Sequence, residues 1–135
     1  MASDAYVDLI LDHYRNPRHK GRLERHNAHA RDSNPFCGDV VEYYLRLEDG
    51  RVADVAFEGK GCAISQAAAS ILSELVQGKS IEEVRGITKE VLLENMGLPE
   101  LGPVRIKCAL LPLKVLKLAL YGYLGSSLSE EAQEG

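Results

Sequence analysis

Val40-Val41-Glu42-Tyr43-Tyr44-Leu45-Arg46-Leu47-Glu48-Asp49-Gly50-Arg51-Val52-Ala53-Asp54-Val55-Ala56-Phe57 is the run that decides the fold. Its first half alternates, with Val41, Tyr43, Leu45 and Leu47 on one face, and its second half answers with Ala53, Val55 and Phe57. A period of two marks a half-buried strand. Asp49-Gly50 between the halves suits a two-residue turn in which both central residues take positive φ. The run reads as an antiparallel hairpin with Glu48 facing Arg51.

Outward from the hairpin the period changes to that of a helix. Upstream, Tyr6, Leu9, Ile10, His13 and Tyr14 recur at helical spacing until Asn16-Pro17 stops them. The stretch Arg18 to Asn34 is polar and reads as a loop with at most a short edge strand. Downstream of Cys62, Ile64, Ala67, Ala68, Ile71, Leu72 and Leu75 share a helical face, with Ser65 placed to cap the start and Gly78 past the end. Ser80 with Glu83 makes a capping box for a short helix from Ile81 to Arg85, and Thr88 to Met96 forms another before Gly97 and Pro99. A last helix runs from about Cys108 to Tyr123, with Pro112 expected near its first turn, where a missing N–H is tolerated. The expected fold class is α+β, a small antiparallel sheet with helices packed on one face. Residues 1–125 form one domain and 126–135 a polar tail that frays.

Bulk properties narrow the function. The 135 residues suffice for one core without disulfide staples. A formal net charge of −4 with scattered Lys and Arg argues against nucleic acid as a partner. Asp4 stands where a signal peptide would be basic, and no apolar run reaches the roughly 18 residues that span a bilayer, so a cytoplasmic protein with no membrane partner is expected. In that reducing compartment an odd set of three cysteines is not a disulfide framework.

Counting back from the Glu48 and Arg51 pair, one residue on each strand at a time, brings Cys37 opposite Cys62. Asp39, two residues beyond Cys37, falls on the same face, and Gly38 gives the backbone room to turn. Cys62 and Cys108 each stand just before an expected helix, where unpaired N–H groups and the macrodipole favour thiolate, the form that binds metal or attacks sulfur. A lone intracellular thiol is more often a small buried hydrophobe. These three, however, lie at element ends beside Gly or Lys rather than inside apolar stripes. Three sulfurs with one carboxylate would complete a tetrahedral set for Zn²⁺, and the same ligands suit the two irons of a small iron-sulfur cluster. The four histidines, none at ligand spacing to these residues, read as solvated or capping, and Tyr43, Tyr44, Tyr121 and Tyr123 as core or interface aromatics.

Asn34-Pro35-Phe36-Cys37-Gly38-Asp39, Gly59-Lys60-Gly61-Cys62-Ala63-Ile64-Ser65 and Arg105-Ile106-Lys107-Cys108-Ala109 resemble, in order, the signature blocks of the iron-sulfur cluster assembly scaffold family, the IscU/SufU/NifU N-terminal domain group. The likeness begins at Asp12-His13-Tyr14 and Asn16-Pro17-Arg18 and reaches the last helix. It implies a protein that receives sulfur from a cysteine desulfurase, builds a [2Fe-2S] cluster on Cys37, Cys62 and Cys108 with Asp39 as exchangeable ligand, and passes it to apo iron-sulfur acceptor proteins. It implies a carrier rather than an enzyme with turnover. Lys107 stands where the IscU type carries His, as in the SufU type, which favours an alternative: a zinc-bound sulfurtransferase with Cys108 as sulfur acceptor. The SufU type also has an insertion between the second and third cysteines that this chain lacks. A third reading is a zinc-stabilised interaction module. Leu101-Gly102-Pro103-Val104-Arg105 resembles, with Gly for the first Pro and Arg for Lys, the Leu-Pro-Pro-Val-Lys segment gripped by an Hsp70-type chaperone.

Overall fold

Asp49 and Gly50 take φ of 52° and 73°, closing the expected two-residue turn. The computed structural model describes the backbone of residues 2–34, 38–97 and 103–134, and side chains within 8–34, 38–97 and 106–125. In chain order the elements are α1 (Ala2–Arg15), β1 (Ala28–Asn34), β2 (Asp39–Glu48), β3 (Arg51–Lys60), α2 (Ala63–Val76), α3 (Ile81–Arg85), α4 (Lys89–Met96) and α5 (Pro103–Glu134). The sheet is antiparallel in the order β1-β2-β3, with α5 over β1 and β2 and α2 over β3. The α+β architecture is as the periodicity implies. Val41, Tyr43, Leu45, Val55 and Phe57 line the inner face, closed by Leu72, Leu92, Met96, Leu116 and Leu120.

One irregularity changes the register. Glu48 pairs with Arg51 and Leu47 with Val52, but Arg46 pairs with Asp54, leaving Ala53 as an extra residue. This bulge flips the alternation of β3. Val52, not Ala53, therefore points inward, and Val52 and Val55 are 0% and 1% exposed. Beyond the bulge every partner moves by one, so pairing ends at Val40 with Lys60 and no longer aligns Cys37 with Cys62. Cys37 itself, with Pro35 and Phe36, lies outside the described residues.

The edge strand is real and longer than its sequence suggests. β1, Ala-His-Ala-Arg-Asp-Ser-Asn, has no β-branched or large apolar residue, and its pairing with β2 supplies what intrinsic propensity does not. Lys114 of α5 pairs with Asp32 at 2.7 Å and holds that edge strand from above. On the open face of the sheet, Tyr44 is 6% exposed because His26 and His29 pack on its ring at 5.0 Å between centroids, with Arg22 above.

Helix ends follow the capping chemistry in part. Ser80 and Thr88 accept the N–H groups of Glu83 and Val91, and Gly97 closes α4 at φ 74°. Cys62, not Ser65, is the N-cap of α2. Ser65 instead donates its hydroxyl to the Cys62 carbonyl at 3.1 Å. The largest departure is α5, which starts at Pro103 rather than at Cys108. Cys108 consequently lies in its second turn and Pro112 in its third. The helix also continues through Glu134, across the polar stretch from Ser126. As a helix, Ile106–Gly125 is long and apolar enough by composition to cross a membrane, but half of it is buried within the protein, where it forms the lid of the core.

His13 departs from the reading of the histidines as solvated. It is 5% exposed, with Nδ1 2.7 Å from Ser70 Oγ. The Arg18 N–H donates to that same oxygen at 2.9 Å, and Glu74 Oε1 lies 3.5 Å from Nε2, an acceptor that favours the ring proton on Nε2 and so the serine proton toward Nδ1. This network joins α1 and the turn after it to α2. Burial, helped by the Arg18 cation, pushes the His13 pKa below its usual 6.5, against the pull of Glu74 and Asp12. The unfolded chain therefore takes up the proton first, so this contribution to stability is complete above pH 6.5 and declines as pH falls below it. Urea denaturation at stepped pH should show stability falling from pH 7 to pH 5, with a shallower slope in His13→Gln. Ser70→Ala, which strips a partner from both the ring and the Arg18 N–H, should cost roughly 2 kcal/mol at pH 7.

Candidate metal centre

Asp39 is the first residue of β2 and continues the inward stripe of Val41, Tyr43 and Leu45, a position built for an apolar side chain. It is 0% exposed. A buried carboxylate requires partners, and the start of α2 supplies one: Oδ1 accepts the Cys62 N–H at 2.7 Å. No side chain of the helix's own N-cap makes a capping bond. Asp39 does this work from another element, where its charge also meets the positive end of the helix dipole.

The second carboxylate oxygen is turned to sulfur. Cys62 Sγ lies 3.7 Å from Asp39 Oδ2. From above, α5 brings Cys108, 3% exposed. One ligand atom from each of Asp39, Cys62 and Cys108 lies within 4.8 Å of the others. The sequence-derived set thus divides in two: Asp39, Cys62 and Cys108 are brought together, while Cys37 lies outside the described residues. The helix-terminus argument holds for Cys62 but not for Cys108, which sits a turn too far along α5. Lys107, exposed beside Cys108, remains as its neighbouring cation.

The donors fit a thiophilic metal. Bonds of about 2.3 Å to sulfur and 2.0–2.2 Å to oxygen place tetrahedral ligands roughly 3.6–3.8 Å apart, so separations up to 4.8 Å need to contract by about an ångström. All three groups ligate as anions, and converging them in a largely buried space is favourable with a cation between them.

Sequence reasoning missed what clears the space. Gly61 has φ +136°, and a Cβ there would overlap Asp39 Oδ1 and approach Asp39 Cα to 2.8 Å. The signal lay in the spacing Gly59-Lys60-Gly61-Cys62, two glycines in one strand end. Gly61→Ala would force Asp39 away from Cys62 and strain the backbone. We expect it to destabilise the protein by roughly 2–4 kcal/mol, and to weaken Zn²⁺ binding at least tenfold in a chelator competition. Gly50→Ala, strained at φ +73° but open to solvent, should leave Zn²⁺ affinity intact.

The chain is similar to known proteins over most of its length. The family described as NifU-like N terminal domain matches residues 5–130. The iron-sulfur cluster assembly scaffold protein IscU 1 of Archaeoglobus fulgidus is 34% identical over 119 residues, covering 87% of this chain and 76% of that protein. The IscU scaffold of Haemophilus influenzae is 33% identical over 123 residues, covering 88% and 95%. Among solved structures, a candidate cluster assembly scaffold for the SUF system of Fervidobacterium islandicum superposes with a TM-score of 0.72 at 30% identity, covering 84% of this chain and 94% of that one. The N-terminal part of a NifU-like protein from Brucella abortus shares the fold at TM-score 0.74 and 23% identity, over 93% and 99%. With a family match over nearly its whole length and relatives above 30% identity across most of it, the chain belongs to the NifU-like N-terminal domain family.

Proposed function

We propose that this chain is an iron-sulfur cluster assembly scaffold, which takes sulfur from a cysteine desulfurase, holds a [2Fe-2S] cluster on Cys37, Cys62, Cys108 and Asp39, and hands it to apo-acceptor proteins. The observation that carries this reading is the convergence of the Asp39, Cys62 and Cys108 ligand atoms from three separate elements. The relatives named as IscU scaffolds support it. The working unit is residues 1–125, its setting the cytoplasm, and the segment from Leu101 to Arg105 is a candidate grip for an Hsp70-type chaperone.

Asp39 has two duties in this mechanism. Its carboxylate is a harder ligand than thiolate and holds soft iron-sulfur units less firmly, so it is the exchangeable arm. It also ties Cys62 to β2 through the backbone N–H. Cys108 is the proposed sulfur acceptor, on the ground of Lys107 beside it. With Cys108 3% exposed, loading requires α5 to yield locally, and the half-buried Cys62 at its helix N-terminus is the competing nucleophile.

A second reading, zinc held at rest on the same ligands and sulfur relayed without cluster assembly, is favoured by Lys107 where the IscU type has His. Anaerobic addition of iron and sulfide separates the two. A scaffold should develop visible cluster absorption with about two irons per chain, whereas a colourless zinc protein that accepts persulfide supports the relay. In Asp39→Ala the reconstituted cluster should persist longer and transfer to an apo-acceptor more slowly, while the metal-free protein loses about 1–3 kcal/mol through the unmet Cys62 N–H. Wild-type transfer rates in that variant would remove Asp39 from the release step. Persulfide mapped by mass spectrometry to Cys62, with Cys108→Ser still fully loaded, would remove Cys108 as acceptor.

A further inference from the structure

Gln66 lies on α2 one turn beyond Cys62, its N–H donating to the Cys62 carbonyl at 3.2 Å. It is 5% exposed, and among the described residues its Oε1 is the buried side-chain polar atom left without a hydrogen-bond partner. The orientation of the amide is fixed by its other end. Nε2 donates to Ser65 Oγ at 3.3 Å, and Ser65 gives its own proton to the Cys62 carbonyl, so that oxygen can only accept. A flipped amide would set two acceptors against each other.

Oε1 instead faces Gly59. A Cβ at Gly59 would overlap the Val40 carbonyl oxygen and come within 3.3 Å of Oε1, so the missing side chain lets the two acceptors lie close against the strand. Gly59 and Gly61 lie on one side of the strand end, about 7 Å apart, and Gly61 is the residue against which Asp39 Oδ1 lies. Gln66 Oε1 thus lies on the same side of the strand end as Asp39, one helical turn beyond Cys62.

A buried acceptor with no donor costs stability, and such costs collect at functional sites. Asp39, Cys62 and Cys108 all bind metal as acceptors and have no proton to give once they do. The missing donor must come with the cargo. A water on a divalent metal ion is such a donor, and its O–H is strongly polarised by the metal. The sulfides of a finished cluster are acceptors and offer Oε1 nothing. We propose that Gln66 is a positioning residue for metal entry, whose side-chain oxygen accepts a hydrogen bond from a water carried on the incoming Fe²⁺ and steadies the hydrated ion beside Asp39 and Cys62. The inference rests on the metal-holding function proposed above and specifies which stage of loading Gln66 serves.

The test uses the full metal-free chain as wild type, Gln66→Met, which keeps the shape but removes both the acceptor and the Nε2 donor to Ser65, and Gln66→Glu, which removes that donor and keeps the acceptor. Melting temperatures are measured without metal, and Fe²⁺ affinity by anaerobic competition with a chromogenic chelator. Gln66→Met should melt no lower than wild type, because removal of the unmet buried carbonyl offsets the lost Nε2 bond to Ser65, and bind Fe²⁺ roughly fivefold more weakly, the worth of one hydrogen bond. Gln66→Glu should melt lower than wild type and bind Fe²⁺ at least as tightly. A Gln66→Met protein that melts below wild type would mean that a fixed water already satisfies Oε1, and the proposal falls. Equal Fe²⁺ affinity in wild type and Gln66→Met also overturns it, while leaving the scaffold reading intact. Failure of the wild type itself to bind Fe²⁺ overturns both.

Discussion

The Asp39 carboxylate bonded to the Cys62 N–H is the contact on which the site depends. It joins the first residue of β2 to the N-cap of α2, two points 23 residues apart in sequence. Its burial is tolerable because one oxygen meets a backbone donor at a helix N-terminus and the other faces a thiol. The same geometry that lets a carboxylate exist in the core places it within ligand distance of sulfur. Structure and chemistry are therefore not separable at this residue. An apolar side chain would satisfy the core stripe of β2, but it would leave the helix start uncapped and take the hard ligand from the proposed metal site.

Around that contact, the sheet end is shaped by absence of side chains. Gly61 leaves the volume that Asp39 occupies, and Gly59 lets the Val40 carbonyl and the Gln66 amide lie close against the strand. The bulge at Ala53 sets which residues reach this end in register, since it shifts every later pair of the hairpin by one and ends the ladder at Val40 with Lys60. Without it, Asp39 would face Lys60 rather than the Gly61 to Cys62 corner, by the register seen next to the turn. α5 completes the arrangement by lying across β1 and β2 with Cys108 on its buried side.

Two polar groups inside the helical layer illustrate opposite solutions to burial. His13 and Ser70 are matched, each taking a role that the other and the Arg18 N–H complete, and they fasten α1 to α2. Gln66, on the same helix and nearer the ligands, is matched at its nitrogen and unmatched at its oxygen. A satisfied network stabilises and specifies packing, whereas a half-satisfied group is costly. The contrast along one helix separates a region that holds the fold from a region that faces cargo.

The alternation of Val40 to Phe57 around Asp49-Gly50 sufficed to place the hairpin, and helical periodicity with its caps sufficed for α1 to α4, because both depend on contacts between near neighbours in sequence. Residue types alone, thiols and a carboxylate beside glycines, named a candidate metal-binding set, of which the fold brings Asp39, Cys62 and Cys108 together. Tertiary packing decided the rest. β1 exists because β2 offers it a partner, His13 is buried because α2 brings Ser70 to it, and α5 begins five residues before Cys108, at Pro103, which only its docking over the sheet reveals. The meeting of Asp39 with the Gly61 to Cys62 corner turned on one extra residue in β3, and periodicity is blind to a bulge whose cost is local and whose gain is the fit of Val52 and Val55 into the same core. Local sequence determines which elements form and which ligands are on hand, while the register between elements and the partners of buried polar groups are settled by long-range packing, where free energy is shared among residues that no short window contains together.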